Sequence, residues 1–176
     1  MKIYNYFKIT LILCCLPLIK GCGVYTFTGV AIDAESISIQ QFYNDADGGP
    51  PDMAQSFTNK IRDYYQSNTN LALTDEGGEL QIEGAIIGYQ LAPIAPTANN
   101  NNQLGGNVSA LTRLTITVQA TYINTKDDKF DFENRSFSFY SDFDSDQNLT
   151  AVEDQLLEEI FDQIILDIFN ASVANW

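Results

Sequence analysis

The residue with the most specific chemistry in this sequence is Cys22, because of what precedes it. Lys2 and Lys8 give a positively charged start, and the apolar run 9–19 that follows is too short to span a bilayer as a helix. The small residue Gly21 stands directly before the cysteine. This arrangement predicts cleavage after Gly21 and attachment of lipid to the Cys22 sulfur, which would anchor the chain in a membrane through its acyl chains.

The alternative to lipidation is an ordinary signal peptide followed by a cysteine by chance. Lys20 favours that alternative, because a lysine is unusual at the second position before a lipid-bearing cysteine. The sequence predicts a removed signal peptide over 1–21, a lipid-anchored segment over 22–35 and a single domain over 36–176. The two other cysteines of the chain lie inside the predicted signal peptide, so the predicted mature chain has no free thiol and no disulfide.

Four acidic residues near the end of the chain have the spacing of a calcium loop. Asp142, Asp144 and Asp146 stand at the first, third and fifth positions of a twelve-residue register, and Glu153 stands at the twelfth. However, Gln147 occupies the position where the sharp turn of such a loop requires glycine, and a strand is predicted before it. Acidic residues before a helix are also favourable without any metal. We therefore predict no metal site here.

The composition excludes several catalytic classes. The sequence has no histidine, and its one predicted mature cysteine carries lipid, which removes Ser–His, Cys–His and most zinc chemistry. No glycine-rich phosphate loop follows a predicted strand. The many carboxylates would allow an acid pair of glycosidase type, but no spacing selects one pair. We predict that the protein is not an enzyme and has no cofactor besides the covalent lipid.

The charge of the chain is strongly asymmetric. After residue 21 only six basic residues remain against 23 acidic ones, a net charge of −17. Such a surface does not suit nucleic acid or an anionic membrane surface. Aromatic and β-branched residues are nevertheless plentiful and periodic, which predicts a folded domain and not a disordered acidic chain.

Two segments carry an apolar stripe at helical spacing. The first runs from 52 to 67, and the second begins at a capping box in which Thr150 closes the helix end and Glu153 reaches back. The second helix is interpreted as a core helix on a sheet, with a partner-binding helix as the alternative. The two stripes consist of Met53, Phe57, Ile61, Tyr64 and Tyr65, and of Val152, Leu156, Leu157, Ile160, Phe161, Ile164, Ile165, Ile168 and Phe169.

Alternating apolar and polar residues predict four strands. The second strand changes parity at Gly84-Ala85, which predicts a β-bulge there, and the fourth changes parity near Asn134. A long loop is predicted over 93–107 and a charged turn over 126–129. The predicted strands cover 36–42, 80–92, 108–124 and 130–143.

This order of elements predicts the fold. Three sequential strands form an antiparallel meander, and the strand before the first helix joins by a crossover. The expected fold class is α+β, a two-layer sandwich with two helices packed on one face of a four-stranded mixed sheet.

With its elements placed, the sequence resembles the lipopolysaccharide-assembly lipoprotein family, LptE. The resemblance covers nearly the whole predicted mature chain, in order, and the Cys-Gly-Val-Tyr start together with the element order carries it. The matching pieces are Cys22–Gly29, the strand Ser36–Phe42, Gln55–Thr58, Leu114–Val118 and the final Ala174–Trp176.

The resemblance implies a location and a partner. Members of the family have two helices on a four-stranded sheet and are lipid-anchored on the periplasmic side of the outer membrane. They act without catalysis as plug and assembly partner inside the LptD β-barrel translocon, and some bind lipopolysaccharide directly. The alternative of another class is a stand-alone glycan- or lipid-binding periplasmic lipoprotein.

Direct contact with an anionic glycolipid would require exposed arginine or lysine. Arg113 at the start of a strand, and Lys126 and Lys129 at a hairpin tip, are the candidates for glycolipid contact, with plain solvated charge as the alternative. The loop 93–107 is the candidate for a barrel-contacting segment, with an unspecialised hairpin loop as its alternative.

Replacing Cys22 by serine tests the predicted anchor. We expect Cys22→Ser to abolish incorporation of labelled palmitate and to move the protein from the membrane to the soluble fraction, because serine lacks the sulfur that receives the lipid. Cys14→Ser is the matched control and should leave both readouts unchanged. Full palmitate labelling of Cys22→Ser would contradict the prediction.

Overall fold

The structure is a computed structural model that describes residues 33–94 and 110–173. The described residues form six strands and two α-helices, with a short 3-10 helix at Asp128–Phe130. In chain order the elements are β1 Ser36–Ile39, β2 Tyr43–Asn44, α1 Met53–Asn68, β3 Ala72–Thr74, β4 Leu80–Ile94, β5 Leu111–Asn124, β6 Phe132–Asp144 and α2 Leu149–Ser172.

The sheet is mixed, as expected, and its strand order is β3-β1-β4-β5-β6. β1 pairs in parallel with both β3 and β4, and β2 continues the parallel pairing along β4. β4, β5 and β6 form the predicted antiparallel meander. The class α+β is confirmed, but the expectation of four strands is wrong, since the described sheet has six.

The predicted strand 36–42 is interrupted because side chains of helix α1 form hydrogen bonds with its main-chain groups. The Arg62 guanidinium donates to the Ile39 carbonyl through Nε at 3.1 Å and Nη2 at 2.6 Å. The Phe42 amide donates to the Thr58 hydroxyl at 3.0 Å. Pairing with β4 resumes only at Tyr43, so one predicted strand becomes β1 and β2. β3 has three residues, too few to give a recognisable alternation.

Both helices lie on one face of the sheet, and their predicted stripes form the core. α2 packs mainly on β6 and β5, and α1 packs on α2 and on β2 and β3. The β5 row beneath them is almost fully buried, and so are most stripe residues of both helices, whereas Tyr64, Val152 and Phe169 are half-buried. The largest of these buried side chains include Phe57, Ile61, Tyr65, Leu114, Ile116, Ile160, Ile164 and Ile168.

The predicted bulge in β4 is displaced along the strand. The register with β5 shifts between Ile86 and Gly88, so Ile87 is the extra residue and is 40% exposed. Gly84 has a different role, because a Cβ there would clash with the Gln119 carbonyl oxygen of β5 and would lie 2.6 Å from a ring carbon of Phe42. The glycine that suggested the bulge therefore allows an aromatic ring to pack closely against the strand.

The parity change near Asn134 is confirmed in β6. The pairing with β5 shifts between Ala120 and Tyr122, and Asn134 adopts a positive φ of 50°. Asparagine tolerates this left-handed conformation better than most residues. The shift places Phe132 on the same face as Arg135, although the two are three residues apart.

The predicted capping box of α2 is wrong. Asn148 is the N-cap residue, and its side-chain oxygen accepts from the Thr150 amide at 3.1 Å. The Glu153 carboxylate instead accepts a hydrogen bond from the Tyr89 hydroxyl of β4 at 2.5 Å. A carboxylate that has a tertiary partner does not reach back to the helix end, and the sequence spacing could not show that partner.

A buried polar contact joins the far ends of the two helices. The Tyr65 hydroxyl and the Ser172 hydroxyl lie 2.6 Å apart, and both residues are buried. Burial raises the pKa of the Tyr65 hydroxyl well above its ordinary value.

Neither α1 nor α2, the two α-helices within residues 33–94 and 110–173, has the length and apolar character that a membrane-spanning helix needs.

Phe57 is the residue whose truncation should cost most stability. Its ring packs edge-on against Phe42 at 4.9 Å and Phe161 at 5.1 Å between centroids, and it is 0% exposed. Phe57→Ala should lower the free energy of unfolding by about 3–5 kcal/mol, because it removes buried apolar area and leaves a cavity. Urea denaturation measures this loss.

The matched control is Phe130→Ala, since Phe130 is 40% exposed. Its effect should stay within about 0.5 kcal/mol, as for most surface substitutions. Equal losses for the two variants would contradict the assigned core.

Candidate functional site

Two of the predicted functional segments lie mostly outside the described residues. Cys22 and the anchored segment up to residue 32 are not described, and neither are residues 95–109. Of the predicted loop 93–107, Pro93 and Ile94 are described, and they belong to β4, which pairs with β5 up to Ile94. The roles assigned to Cys22 and to the loop therefore stay predictions.

Arg113 lies near the start of β5 and already has a carboxylate partner. Its guanidinium donates to Asp142 on β6 through Nε at 2.7 Å and Nη2 at 2.9 Å. It also stacks on Tyr140, 3.5 Å from the ring centroid. The Arg113 guanidinium holds the pKa of the Asp142 carboxyl below its usual range. An anionic ligand at Arg113 would have to compete with a bidentate internal partner.

Lys126 lies at the opposite end of β5 and is also paired. Its ammonium is 2.9 Å from the Glu79 carboxylate, which accepts from the Glu35 amide as well, at 2.7 Å. The Glu35 amide and, after it, Lys126 lower the pKa of the Glu79 carboxyl. Lys129 has a different neighbour, since its ammonium lies 4.8 Å from the centroid of the Phe130 ring.

The three candidate cations do not form one site. Arg113 and Lys126 are separated by nearly the whole of β5, a distance of about 43 Å for an extended strand. Lys126 and Lys129 are close in sequence, but only Lys126 has its charge balanced by a carboxylate among the described ion pairs. Lys129 is therefore the candidate most available to an external anion.

Arg135 is a candidate that the sequence reasoning missed. It is exposed, its guanidinium lies 5.6 Å from the Phe132 centroid and 5.1 Å from the Phe137 centroid, and none of the ion pairs found in the described segments includes it. With Asp167 of α2 these residues line an open cleft of about 670 Å³. The only feature of the sequence that could have pointed to Arg135 was the parity change at Asn134, which brings residues 132, 135 and 137 to one face.

The residues with calcium-loop spacing do not form a cluster. Asp142 binds Arg113, and Glu153 accepts from Tyr89. Asp142 and Asp144 share the sheet face away from the helices at the end of β6, whereas Glu153 belongs to α2 on the other side of the sheet. In the described segments no group of three or more acidic residues is placed to hold a metal ion.

Helix α2 presents a polar row beside β6. Gln155 donates to Glu159 at 3.1 Å, and Gln163 donates to Asp167 at 3.0 Å, each one helical turn apart. Ser141 of β6 donates to Glu159 at 2.8 Å and so links strand and helix. Gln155 and then Ser141 lower the pKa of the Glu159 carboxyl. The Glu159 carboxyl therefore remains negatively charged at neutral pH.

The sheet face away from the helices is polar and almost uncharged along β5 and β6. The Thr117 and Ser138 hydroxyls lie 3.1 Å apart across the two strands, and the Asn134 amide donates to the Thr121 hydroxyl at 3.1 Å. Between the Arg113–Asp142 pair and the Asn134 bulge, this face carries Thr115, Thr117, Gln119, Thr121, Ser136, Ser138 and Tyr140.

Calcium should not stabilise the protein. We expect the same melting temperature with excess calcium and with chelator, because Asp142 and Glu153 are occupied by protein partners. Differential scanning fluorimetry measures this. A rise of the melting temperature that saturates with calcium and disappears in Asp144→Asn would contradict the assignment.

Among solved structures, the chain is similar to the hypothetical protein CT253 from Chlamydia trachomatis, with 10% identity, TM-score 0.49 and coverage of 81% of this chain and 100% of that one. The PelC dodecamer from Paraburkholderia phytofirmans gives 10% identity, TM-score 0.45 and coverage of 84% and 96%. A minor lipoprotein from Acinetobacter baumannii has 13% identity and a TM-score of 0.43, and the match covers 74% of this chain and 87% of that one.

No curated protein sequence matches the chain closely enough to count as a relative. The family model described as LptE, lipopolysaccharide-assembly, matches residues 34–172, which is most of the chain and nearly all of its described part. This agrees with the resemblance seen in the order of its motifs. The chain belongs to the LptE lipopolysaccharide-assembly family.

Proposed function

We propose that the protein is a lipid-anchored component of the lipopolysaccharide transport and assembly machinery, held on the periplasmic side of the outer membrane through Cys22. It acts as plug and assembly partner of an LptD-type β-barrel translocon. The observation that carries the proposal is the family match over residues 34–172, because it covers the whole two-layer domain and not a single motif.

The charge of the helical layer supports a role in contact with a protein partner. α2 has six acidic residues and no basic one, and four of the six are exposed. Among the described ion pairs, only Lys60 of α1 pairs with them, at 3.0 Å from Asp162 and 3.7 Å from Glu158. Such a surface complements a barrel lumen that carries arginine and lysine, and this complementarity favours correct orientation and fast association.

Direct contact with lipopolysaccharide is a second part of the proposal. Of Arg113, Lys126 and Lys129, we assign the contact first to Lys129, because the other two have carboxylate partners at 2.7 and 2.9 Å. A cation beside the apolar Phe130 ring suits a ligand that joins phosphate to acyl chains. Arg113 and Lys126 would contribute only by exchanging their internal partners for the ligand.

The test is a mild-detergent purification of the tagged, lipidated protein from its own envelope, followed by mass spectrometry. We expect a large β-barrel protein at a ratio near one to one. The same eluate is analysed for lipopolysaccharide, and Lys129→Gln should reduce the glycolipid while leaving the barrel in place.

The control is the same tag on an unrelated lipoprotein of that envelope. Recovery of this protein alone, at comparable yield, would reject the plug role and favour a stand-alone glycan- or lipid-binding lipoprotein. If a barrel is recovered but replacing its lumen arginines leaves binding unchanged, the electrostatic part of the proposal fails and the partnership stands.

A further inference from the structure

The outer edge of β6 is the longest unpaired strand edge in the described sheet. β6 has 13 residues and pairs only with β5 within residues 33–94 and 110–173, whereas β3 at the opposite edge has three. Long edges usually carry proline or lysine, which block the addition of another strand. The segment 132–144 contains neither residue, and its two features that hinder strand addition, the bulge at Asn134 and the inward-facing charge of Arg135, are both near one end.

The hydrogen-bond pattern tells which main-chain groups of β6 face outward. The Ser145 amide donates to the Ala110 carbonyl at 2.9 Å, so this opposed pair exchanges hydrogen bonds. Such pairs alternate along an antiparallel ladder, which leaves the groups of the intervening residues pointing away from β5. The residues whose amides and carbonyls face the free edge are Ser136, Ser138, Tyr140, Asp142 and Asp144.

Helix α2 runs beside this edge and makes it one wall of a groove. Two open clefts lie between β6 and α2, one of about 670 Å³ near Arg135 and Asp167 and one of about 320 Å³ near Ser141 and Glu159. The polar row of α2, which carries Glu159 and Asp167, connects them. A strand edge flanked by a helix is the arrangement with which several domains bind an extended peptide by strand addition.

We infer that the β6 edge is a docking site for an extended, basic segment of a partner polypeptide, which adds to the sheet as a further strand beside β6. The main chain of the segment would bond the outward groups of β6, and its lysine or arginine side chains would reach Glu159 and Asp167. The inference goes beyond the proposed plug role, since any protein with such a segment could supply it; only the identification of that protein with the barrel rests on the proposed function.

The spacing of the two carboxylates fits a strand. Glu159 and Asp167 are eight residues apart on α2, about 12 Å along a helix axis. Four residues of an extended strand cover about 13 Å and return the side chain to the same face. Basic residues four positions apart on the added strand would therefore meet both carboxylates.

Charge argues against a second copy of this chain as the occupant. Pairing of β6 with itself would bring together two strands that each carry three acids, Glu133, Asp142 and Asp144, against one arginine, Arg135, and among the described ion pairs only Asp142 has an internal cation. Across the two clefts, the acids Asp131, Asp144, Glu159 and Asp167 outnumber the single unpaired cation Arg135. A basic partner removes this repulsion.

The test uses the purified full chain in detergent micelles and fluorescein-labelled synthetic peptides of nine residues. The main peptide alternates valine and threonine, with lysines at its third and seventh positions. A second peptide moves one lysine to the sixth position, which turns it to the opposite face, and a third replaces both lysines by glutamate. Fluorescence anisotropy should show saturable binding of the first, weaker binding of the second and none of the third.

Two variants locate the binding. Ser136→Pro removes an outward amide without touching the bonds between β5 and β6, and it should abolish binding, while Ser136→Ala should not. Glu159→Gln with Asp167→Asn should weaken binding about fivefold through the loss of two partly exposed ion pairs. The matched control, Asp154→Asn with Glu158→Gln, removes the same charge from the side of α2 that faces α1 and should change the affinity less than twofold.

Three outcomes would overturn the inference. The first is that the first peptide fails to bind at concentrations up to about 1 mM. The second is that Ser136→Pro binds this peptide as well as the unchanged protein does. The third is that the two double variants lose peptide affinity equally. A dimer in sedimentation together with absent peptide binding would assign the edge to a second copy. Absent binding by a monomer would reject the β6 edge as a docking site. Because the peptides need no barrel, failure here and failure of the proposed plug role can be told apart.

Discussion

The packing of α2 against the middle strand β5 determines most of the remaining structure. Every second residue of β5 from 114 to 122 is at most 2% exposed, and α2 contributes four isoleucines at 0%. Each large aliphatic side chain buried in this way stabilises the fold by about 1.5–3 kcal/mol. No other surface of the described sheet offers a comparable apolar row. The residues concerned are Leu114, Ile116, Val118, Ala120 and Tyr122, and Ile160, Ile164, Ile165 and Ile168.

This one-sided core separates the molecule into surfaces of different character. An antiparallel sheet with one buried face leaves its other face to polar side chains. Along β5 and β6, between the Arg113–Asp142 pair and the Asn134 bulge, that face carries hydroxyl and amide groups, and the Arg113 and Asp142 charges neutralise each other. The acidic residues collect instead on the outside of α2, because its inner side is occupied by the core. A partner therefore meets a strongly negative helical side, a stretch of β5 and β6 on the other side that is nearly neutral, and between them the β6 edge.

The sequence predicted the helices and the long strands well, because their periodicity reflects burial on one face. Phe57, Ile61, Ile160 and Ile164 are all fully buried, as the stripes required. The failures share one physical cause. The first strand breaks because α1 side chains bind its main chain, and the α2 capping box fails because Glu153 has a partner on β4. In both cases a residue far away in sequence displaces the local interaction.

By itself, the sequence determined what depends on composition and local period: the acidic charge, the lack of histidine, the α+β class and the family resemblance. It also supplied Arg113, Lys126 and Lys129 as candidates without saying which of them is available. Only the tertiary structure decided that Arg113 and Lys126 are paired, that Arg135 lies beside two phenylalanine rings, and that β6 has an edge beside an acidic helix with no strand partner in the described part of the chain. These features depend on strand register and on contacts between distant residues, which one sequence does not specify.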